Sequence, residues 1–522
     1  MGTFIGIDLG TTYSLITHFD DSGRPRIIED EESDKMTPSC VWFNKNLIEV
    51  GKEARIQLGY DGVVARFKRE MGTDYIFNFD GNQYTPTDLS SEILKKLYKS
   101  AIIKVGEVSE AVITVPANFS SEARVETKKA AKLAGIESVM LTDEPTAAAL
   151  YYAFEKGGSL NGNYAVYDLG GGTFDISIVN IKEFEVKVLS TDGIARLGGD
   201  DFDQILQDIV KKKYHEATSE ELEEEDFTKT EAEDYKKSLS KRDVQIRLNK
   251  KNYLVTKEDF AEAISSSVRK TERVCKSALA ESGLKPSDLK EVFLVGGSTR
   301  IPSVQEAVKN VFNMAPTSTI NVDEAVALGA SIYASIRGDA SKLTDEQVDK
   351  INKIKVQDVT PRYFGIIAEE YDSKRNKKIL INSNIIPKNT KRPCADTKSY
   401  FTTEDDQTGV SCEITSSMID SSATEMATIV WKGSLGPLPK GRTKGQKIDV
   451  MFKFDTDGIM FASFVDVSTG IKKSIKLSDI EETKESTLNF KNEVKTFSLD
   501  LSLIHISEPT RLLSISYAVF CL

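Results

Sequence analysis

The sequence is poor in histidine and cysteine, two residue types that often carry hydrolytic or redox chemistry. It has 3 histidines and 5 cysteines among 522 residues. The histidines lie in no motif typical of a Ser-His-Asp triad, and the cysteines form no CxxC pair that would indicate zinc or a disulfide framework. A His-based hydrolase and a metal or disulfide scaffold are therefore disfavoured. Without a secretory signal at residues 1–8, the scattered cysteines favour a reducing cytoplasm.

The sequence also lacks an excess of positive charge and a long apolar run. Its net charge is -12, with a pI near 5.2, so general attraction to nucleic acid or anionic lipid is disfavoured. No apolar stretch reaches membrane-spanning length. With 40% hydrophobic and 28% charged residues, the composition predicts a soluble protein of two or more domains.

One pattern occurs twice: FIGIDLGTTYSLI at Phe4 to Ile16 and YAVYDLGGGTFDISIV at Tyr164 to Val179. Each copy has an apolar strand, an aspartate where that strand ends, a Gly/Thr turn and a second strand. This arrangement predicts two phosphate-binding hairpins on two similar lobes that face one ligand. The P-loop pattern GxxxxGK[ST] is absent.

Strand and helix signals fill the rest of both lobes. The run EAVITVPANF predicts a strand, and SSEARVETKKAAKLAGI predicts a helix that stops at Gly135. A strand, turn and helix are predicted again over Glu291 to Phe312. From about Val359 short alternating runs predict a separate β-rich domain.

The two hairpins carry the residue types of a phosphate clamp. Glycine allows backbone N–H groups to approach phosphate oxygens, and hydroxyl groups add donors. Two strand-end carboxylates can hold a hydrated Mg²⁺ that bridges phosphates, and a further aspartate in the second hairpin could add to them. The hairpin residues are Asp8, Gly10, Thr11, Thr12 and Tyr13, and then Asp168, Gly170, Gly171, Gly172, Thr173 and Asp175.

A series of motifs resembles the nucleotide-binding signature of DnaK-type chaperones, the heat shock protein 70 family. In order they are IGIDLGTTYS, VITVPANF, DEPTAAAL, DLGGGTFD, LGGDDFD, LVGGSTRIP and DEAVALGA. Actin and sugar kinases share the fold that this implies but not the whole series. The resemblance implies an actin-like ATPase domain with duplicated ribonuclease H-like lobes at residues 1–350, a linker at 351–358, and a β-sandwich peptide-binding domain at 359–482 without a helical lid.

The resemblance also implies roles within the nucleotide site, with ATP, Mg²⁺ and K⁺ as cofactors. Lys68 matches the catalytic lysine and Glu144 the carboxylate that orients the attacking water. Asp8, Asp168, Thr173 and Asp175 complete the catalytic set, with Asp8 and Asp168 holding Mg²⁺ through water. The adenosine and phosphate contacts beyond the hairpins match Gly199, Glu233, Lys236, Lys237, Ser240, Gly296, Gly297, Ser298, Arg300 and Asp323.

Outside the nucleotide site the resemblance implies a relay and a peptide pocket. Pro116, Arg124 and Asp358 match positions that pass the nucleotide state to the peptide-binding domain. The linker alternates polar and apolar residues where the family has a leucine-like run, which predicts weaker coupling. The pocket candidates are Ile385, Ile386, Phe401 and Val410; the alternative is that all four are core residues.

The function expected from this resemblance is that of an ATP-dependent chaperone that binds extended apolar segments of unfolded proteins. A J-domain cochaperone and a nucleotide-exchange factor are the implied partners, and a stress response is the implied context. Two alternatives are an ATP-binding regulatory or scaffold protein without peptide cycling and, less favoured, an actin-like filament protein or sugar kinase.

The carboxy-terminal segments are expected to stand apart from both domains. Residues 483–500 receive no assignment. Residues 501–522 match a translated sequencing adaptor in large part and are expected to be foreign to the fold.

Overall fold

The computed structural model describes residues 3–44, 47–223, 225–317, 321–373 and 376–477. The chain forms two units. The first contains the described residues through Pro361 together with Asn389–Arg392 and Asp455–Ile459; the second contains Arg362–Lys388, Pro393–Phe454 and the described residues from Met460 onward. The predicted absence of a lid, the unassigned segment 483–500 and the foreign tail 501–522 lie outside the described residues.

In its described residues, the first lobe of the first unit contains eleven strands and four α-helices. The strands are β1 (Thr3–Asp8), β2 (Tyr13–Phe19), β3 (Pro25–Ile27), β4 (Thr37–Pro38), β5 (Cys40–Asn44), β6 (Leu47–Val50), β7 (Val63–Ala65), β8 (Phe77–Phe79), β9 (Asn82–Tyr84), β10 (Val108–Val115) and β11 (Val139–Asp143). The helices are α1 (Lys52–Ile56), α2 (Pro86–Val105), α3 (Ser121–Leu133) and α4 (Glu144–Glu155).

The main sheet of this lobe has the order β11-β10-β1-β2-β3, and β4 also pairs with β2. Strands β10 and β11 run parallel to β1, whereas β2 returns antiparallel as the predicted hairpin. Four consecutive residues of β1 and the last five of β10 are buried, as expected for central strands covered on both faces. Helix α2 begins with a capping box at Thr85, in which side chain and backbone satisfy each other's donors.

The part of the second lobe that the structure describes contains seven strands and six α-helices. The strands are β12 (Asn161–Leu169), β13 (Phe174–Lys182), β14 (Glu185–Ile194), β15 (Val244–Leu248), β16 (Lys251–Val255), β17 (Leu289–Val295) and β18 (Lys355–Gln357). The helices are α5 (Gly199–Thr218), α6 (Lys229–Leu239), α7 (Lys257–Glu281), α8 (Pro302–Phe312), α9 (Ala325–Arg337) and α10 (Asp345–Ile351).

The main sheet of the second lobe, with the order β17-β12-β13-β14-β18, repeats the plan of the first. Its β12 and β13 form the second predicted hairpin, and β17 runs parallel to β12. Helices α4 and α9 pack against each other between the two sheets. They approach so closely that a Cβ on Gly329 would lie 1.8 Å from the carbonyl oxygen of Ala147, so only glycine fits there.

The second unit is a β-sandwich with strands β19 (Tyr363–Asp372), β20 (Lys377–Ile386), β21 (Cys394–Phe401), β22 (Val410–Ser417), β23 (Thr428–Leu435), β24 (Lys447–Phe454), β25 (Met460–Asp466) and β26 (Lys472–Lys476). Among the described residues, two four-stranded antiparallel layers have the orders β20-β19-β22-β23 and β21-β24-β25-β26. In β24 the residues Ile448, Val450, Phe452 and Phe454 alternate with more exposed residues and enter one core.

The predicted mixed α/β architecture, the two hairpins and the β-rich region after Val359 are confirmed. The predicted helix is confirmed as α3, and Gly135 lies beyond it with a φ of +84°. In the described part of the chain, no helix is long and apolar enough to cross a membrane.

Candidate functional site

The turns of the two hairpins meet in the first unit. A Cβ on Gly171 would lie 2.0 Å from the Thr12 hydroxyl oxygen, and one on Gly172 would lie 2.6 Å from that of Thr11. Larger residues at either glycine would push the two lobes apart. The glycine-rich turn of β12 and β13 therefore packs directly against the threonine turn of β1 and β2, as a clamp on a phosphate chain requires.

A cavity of about 990 Å³ opens beside these turns. Its lining brings together most of the residues that the sequence singled out: Asp8, Gly10, Thr11, Thr12, Tyr13, Lys68, Glu144, Asp168, Gly170, Gly171, Thr173, Gly199, Glu233, Lys236, Lys237, Ser240, Gly296, Gly297, Ser298, Arg300 and Asp323. Gly172 and Asp175 do not line the cavity; Gly172 packs on Thr11, and Asp175 is buried. The volume is within the range of small-molecule sites.

Lys68 and Glu144 form a buried ion pair at one wall of this cavity. Lys68 lies in a 3-10 turn over Phe67–Glu70 and is 5% exposed. Its Nζ donates to Glu144 Oε1 over 2.6 Å. Glu144 is the first residue of α4, and Pro145, which follows it, suits the first turn because proline lacks the N–H that would be unpaired there. The chain thus fixes a point positive charge beside a carboxylate at the edge of the hairpins.

Three aspartates of the hairpins lie close to this pair; Asp168 and Asp175 are buried, and Asp8 is half-buried. Burial, followed by the repulsion of Glu144, raises the pKa of Asp8 to about 7. The same causes, in the same order, raise the pKa values of Asp168 and Asp175 well above the ordinary value. The side chain of Asp175 is almost fully buried. Like charges that burial brings together in this way can all ionise only when a cation joins them.

These carboxylates fit Mg²⁺ held through water. The described residues contain no group of three or more His, Cys, Asp or Glu side chains arranged for direct metal ligation. Mg²⁺ keeps several of its waters and is commonly held by one or two carboxylates together with substrate phosphates. Asp8 and Asp168, which line the cavity, are the side chains that would hold it there.

The opposite end of the cavity carries a network of charges on α6 and the start of α5. Arg55 and Lys237 each contact Glu233 over 2.7 Å. Although burial acts to raise it, these two cations lower the pKa of Glu233 to about 2. Lys236 contacts Asp203 over 2.7 Å and donates to the carbonyl of Gly199 over 2.8 Å. This end presents polar groups held in place by their neighbours.

Ser298 and Arg300 complete the wall across from α6. The Ser298 hydroxyl donates to the carbonyl of Gly170 over 2.8 Å, and Arg300 contacts Asp323 over 2.6 Å. Both lie in a short 3-10 turn that starts after β17, where Gly296 has a φ of +82°. Leu169, at the end of β12, lies so close that a Cβ on Gly296 would be 2.5 Å from its carbonyl oxygen. The glycine pair therefore packs this wall onto the second hairpin.

The family model described as Hsp70 protein matches residues 4–79 and 76–496 of the chain. The chain belongs to the Hsp70 family. Proteins of the Hsp70 family are generally ATP-dependent chaperones and ATPases that use Mg²⁺ and bind unfolded polypeptides and cochaperones. The duplicated lobes and the β-sandwich described above are consistent with that membership.

Several residues that the sequence reasoning missed also shape the site in this Hsp70 family member. Asp200 and Asp203 line the cavity, and Arg66 contacts both of them from the other lobe. The motif LGGDDFD contained both aspartates, and the repeated acidic residues at a helix start were a signal for cationic partners. Nothing near Arg66 in the sequence indicated its partners, because they lie far along the chain.

The three relay residues carried over from the Hsp70 resemblance lie close to Glu144. Arg124 donates to Asp143 over 2.7 Å and to the carbonyl of Ala117 over 3.0 Å, directly after Pro116. Asp358 accepts from Thr146 over 2.6 Å. All of these residues belong to the first unit. The relay role stays a prediction, but the contacts connect Arg124 and Asp358 to the start of α4.

A second arginine, which sequence reasoning missed, joins this buried group. Arg392 contacts Asp143 over 2.5 Å and Asp358 over 3.6 Å. Two arginines and two aspartates therefore balance their charges in the interior of the first unit.

The four peptide-pocket candidates lie in the second unit. Ile385, Ile386 and Val410 are buried in its hydrophobic core, and Phe401, the last residue of β21, is half-buried. These positions agree with the core alternative for three residues and leave Phe401 partly accessible. Their role in binding peptide stays a prediction.

Proposed function

We propose that this chain binds and hydrolyses ATP in the cavity of the first unit and uses the nucleotide state to control how tightly the second unit holds extended apolar peptide. The observation that carries the proposal is the buried Lys68–Glu144 pair, set beside three aspartates of raised pKa between two glycine-rich hairpins. Perturbed titratable groups gathered in a cavity are typical of a reaction site.

The described residues divide the work of phosphoryl transfer to water. Lys68 places its charge where negative charge grows on the transferred phosphoryl group, which stabilises the transition state more than the ground state. Glu144 accepts a hydrogen bond from the attacking water and orients it. Backbone N–H groups of the hairpin turns and the Thr11, Thr12 and Thr173 hydroxyls donate to phosphate oxygens.

Mg²⁺, when bound, neutralises phosphate charge, and the aspartates are the groups that accept it. Asp8 and Asp168 would hold it through water, and the charge of Asp175, which is buried outside the cavity lining, would add to theirs. The hydroxyl of Thr114 donates to Asp8 over 3.2 Å and holds this carboxylate in its orientation. We also propose K⁺ as a further cofactor, supported by the family resemblance of the hairpins.

The start of α4 is the natural route from nucleotide to linker. Glu144 faces Lys68, and Thr146, two residues later, donates to Asp358 at the end of the linker. Strand β18 of the linker extends the second-lobe sheet beside β14. A shift of this helix start on hydrolysis would therefore act on the linker directly.

The proposal extends to partners and location. We propose extended or unfolded polypeptides as clients, with a J-domain cochaperone and a nucleotide-exchange factor as regulators, in a stress-responsive folding system. A reducing compartment such as the cytoplasm is supported by the scattered cysteines of the sequence, which form no CxxC pair. Co-purification with a labelled J-domain protein in the presence of ATP tests the proposed J-domain partner. If no complex forms at a saturating concentration of that protein, this partner is contradicted.

The main test measures both halves of the proposed cycle. Titration calorimetry with ATP, ADP and GTP in Mg²⁺ reports the nucleotide site, and anisotropy of a labelled apolar peptide reports the second unit. We expect micromolar or tighter adenine nucleotide binding, weaker GTP binding, and weaker peptide binding with ATP than with ADP. Equal peptide affinity under both nucleotides would contradict the cycle.

One observation favours a second candidate function, an ATP-binding scaffold without peptide cycling. The linker strand carries Lys355, which is exposed, and Gln357, whose amide donates to the carbonyl of Arg392 over 2.6 Å. Polar residues in a segment that must dock differently in two states reduce the free energy that docking can supply. Peptide binding that ignores nucleotide would favour this alternative.

A further inference from the structure

Arg66 occupies an unusual position in the first lobe. It follows β7 and precedes the turn that carries Lys68. Its φ of +66° places it in the left-handed region, which costs free energy for a residue with a side chain. Such a conformation persists where surrounding contacts hold it. The contacts here are made by its guanidinium group.

The guanidinium of Arg66 reaches across the cleft to the first turns of α5 in the second lobe. Its Nε lies 2.8 Å from Asp200 Oδ1, and its Nη2 lies 3.8 Å from Asp203 Oδ2. The side chain of Arg66 is 18% exposed, and those of its partners are 4% and 1% exposed. This is a buried ion pair between two lobes, shielded from salt and water.

Other ion pairs cross the same cleft at different depths. Arg55 contacts Glu233 over 2.7 Å, and Arg69 contacts Asp201 over 3.1 Å. Arg196 contacts Glu70 over 2.6 Å, but its side chain is 58% exposed. Exposed pairs contribute little, whereas breaking a buried pair leaves a charge without compensation. The ion pairs of Arg66 and Arg196 therefore allow a buried and an exposed contact between the lobes to be compared.

The second-lobe end of the Arg66 contact is part of the cavity wall. Asp200 and Asp203 line the cavity, and Asp203 also contacts Lys236 of α6. Burial raises the pKa of Asp203 to about 6 even with Lys236 beside it. A cleft that opens to release its ligand must separate Arg66 from both aspartates, since they belong to different lobes. Among the described residues, Lys236 would then remain in contact with Asp203.

We infer that Arg66 is a latch between the lobes that keeps the cleft closed and slows the release of bound nucleotide. The inference rests on the proposed nucleotide site but not on hydrolysis or peptide binding. The latch acts on dissociation, because bound nucleotide leaves when the lobes separate, and that separation breaks the buried pairs of Arg66. Arg66 is thus a positioning residue, which touches the wall and not the ligand.

The test is the dissociation rate of a fluorescent ADP analogue from the full chain, followed in stopped flow after addition of excess unlabelled ADP. Arg66→Met should speed release at least 10-fold with an on-rate changed less than threefold. Arg66→Gly should speed release by a similar factor. Because glycine adopts this φ without strain, this variant shows that the effect comes from the lost charge and not from a strained backbone. Arg66→Lys should give an intermediate rate. Arg196→Ala, the exposed control, should stay within twofold of the wild type.

A double-mutant cycle identifies the partner. Asp200→Asn should speed release, and Arg66→Met in that background should add less than threefold, because the contact is already lost. Fully additive effects, or release from Arg66→Met and Arg66→Gly within twofold of the wild type, would overturn the latch alone. A wild-type chain that binds no ADP analogue would overturn the nucleotide site and the latch together.

Discussion

The two units bury different chemistry. The first unit encloses charged side chains, among them Lys68, Arg124, Glu144, Asp168 and Asp175. The second unit fills its centre with an apolar cluster that contains Ile366, Val450, Phe452 and Phe464. A buried charge needs a specific partner or a bound ion, whereas a buried apolar side chain needs only neighbours of suitable volume. Charges inside the first unit therefore point to chemistry, and apolar residues inside the second do not distinguish a binding pocket from a core.

This comparison can be broken most sharply at Lys68. Lys68→Ala should lower single-turnover ATP hydrolysis by about 100- to 1,000-fold, the usual effect of removing one group that stabilises transition-state charge. ATP binding should persist, because ground-state contacts to the hairpins remain. Lys99→Ala, an exposed lysine on α2, is the matched control and should leave the rate unchanged. A Lys68→Ala rate close to wild type would mean that the buried charge is structural.

Phe401 offers the corresponding test in the second unit. Phe401→Ala should weaken binding of a labelled apolar peptide about tenfold or more, since a buried phenylalanine contributes about 1.5–3 kcal/mol. Phe461, which is also half-buried but lies on β25, is the control, and Phe461→Ala should leave peptide affinity unchanged. Anisotropy and thermal melts are measured together. A large loss of stability with no loss of peptide affinity would assign Phe401 to the core.

Much of the first unit could be predicted because its signals are local. The turn glycines, the strand-end aspartates and the order of the motifs located both hairpins and most of the cavity lining. Arg66 and Arg392 were missed because their partners, Asp200 and Asp143, are remote in sequence. In the second unit, alternation predicted strands correctly, but Ile386 and Phe401 looked alike until their burial was seen. Periodicity reports which face is apolar and not what covers it.

The hairpin aspartates should also make the stability of the nucleotide-free protein depend on pH. The pKa of Asp8 is raised from 3.8 to about 7, so between these values the folded chain holds a proton that the unfolded chain releases. Stability therefore falls as pH rises toward and through the folded pKa, and the part of this loss between pH 6 and pH 8 is about 1 kcal/mol for this group. Glu233, with its pKa lowered to about 2, loses its contribution only at lower pH.

Thermal or urea unfolding at pH 6 and pH 8 measures this effect. Asp8→Asn should reduce the difference between the two conditions, because asparagine keeps the shape and removes the titration. Asp449 is a partly exposed strand residue of the second unit, and Asp449→Asn should leave the difference between pH 6 and pH 8 unchanged. Unfolding free energies that rise from pH 6 to pH 8 in the wild type would show that the carboxylates are already compensated.

The smallest expected effect lies in the linker, where the two kinds of region meet in sequence. Strand β18 pairs with β14 through its backbone, so its side chains can change without loss of that pairing. Lys355→Leu with Gln357→Leu replaces polar side chains by apolar ones and should stabilise the docked linker, although the Gln357 hydrogen bond to the Arg392 carbonyl is lost. Nucleotide shifts the linker between two states only by the difference between its binding free energies to those states. A linker strand that docks more tightly should therefore widen the ratio of peptide affinities in ADP and ATP about threefold. Anisotropy titrations of the natural chain and the double variant give this ratio, and Lys353→Leu, just before the strand, is the control. An equal ratio in the natural chain and the double variant would contradict this prediction. If Lys68→Ala also abolishes hydrolysis, the chain would be an ATPase whose nucleotide state does not control peptide binding.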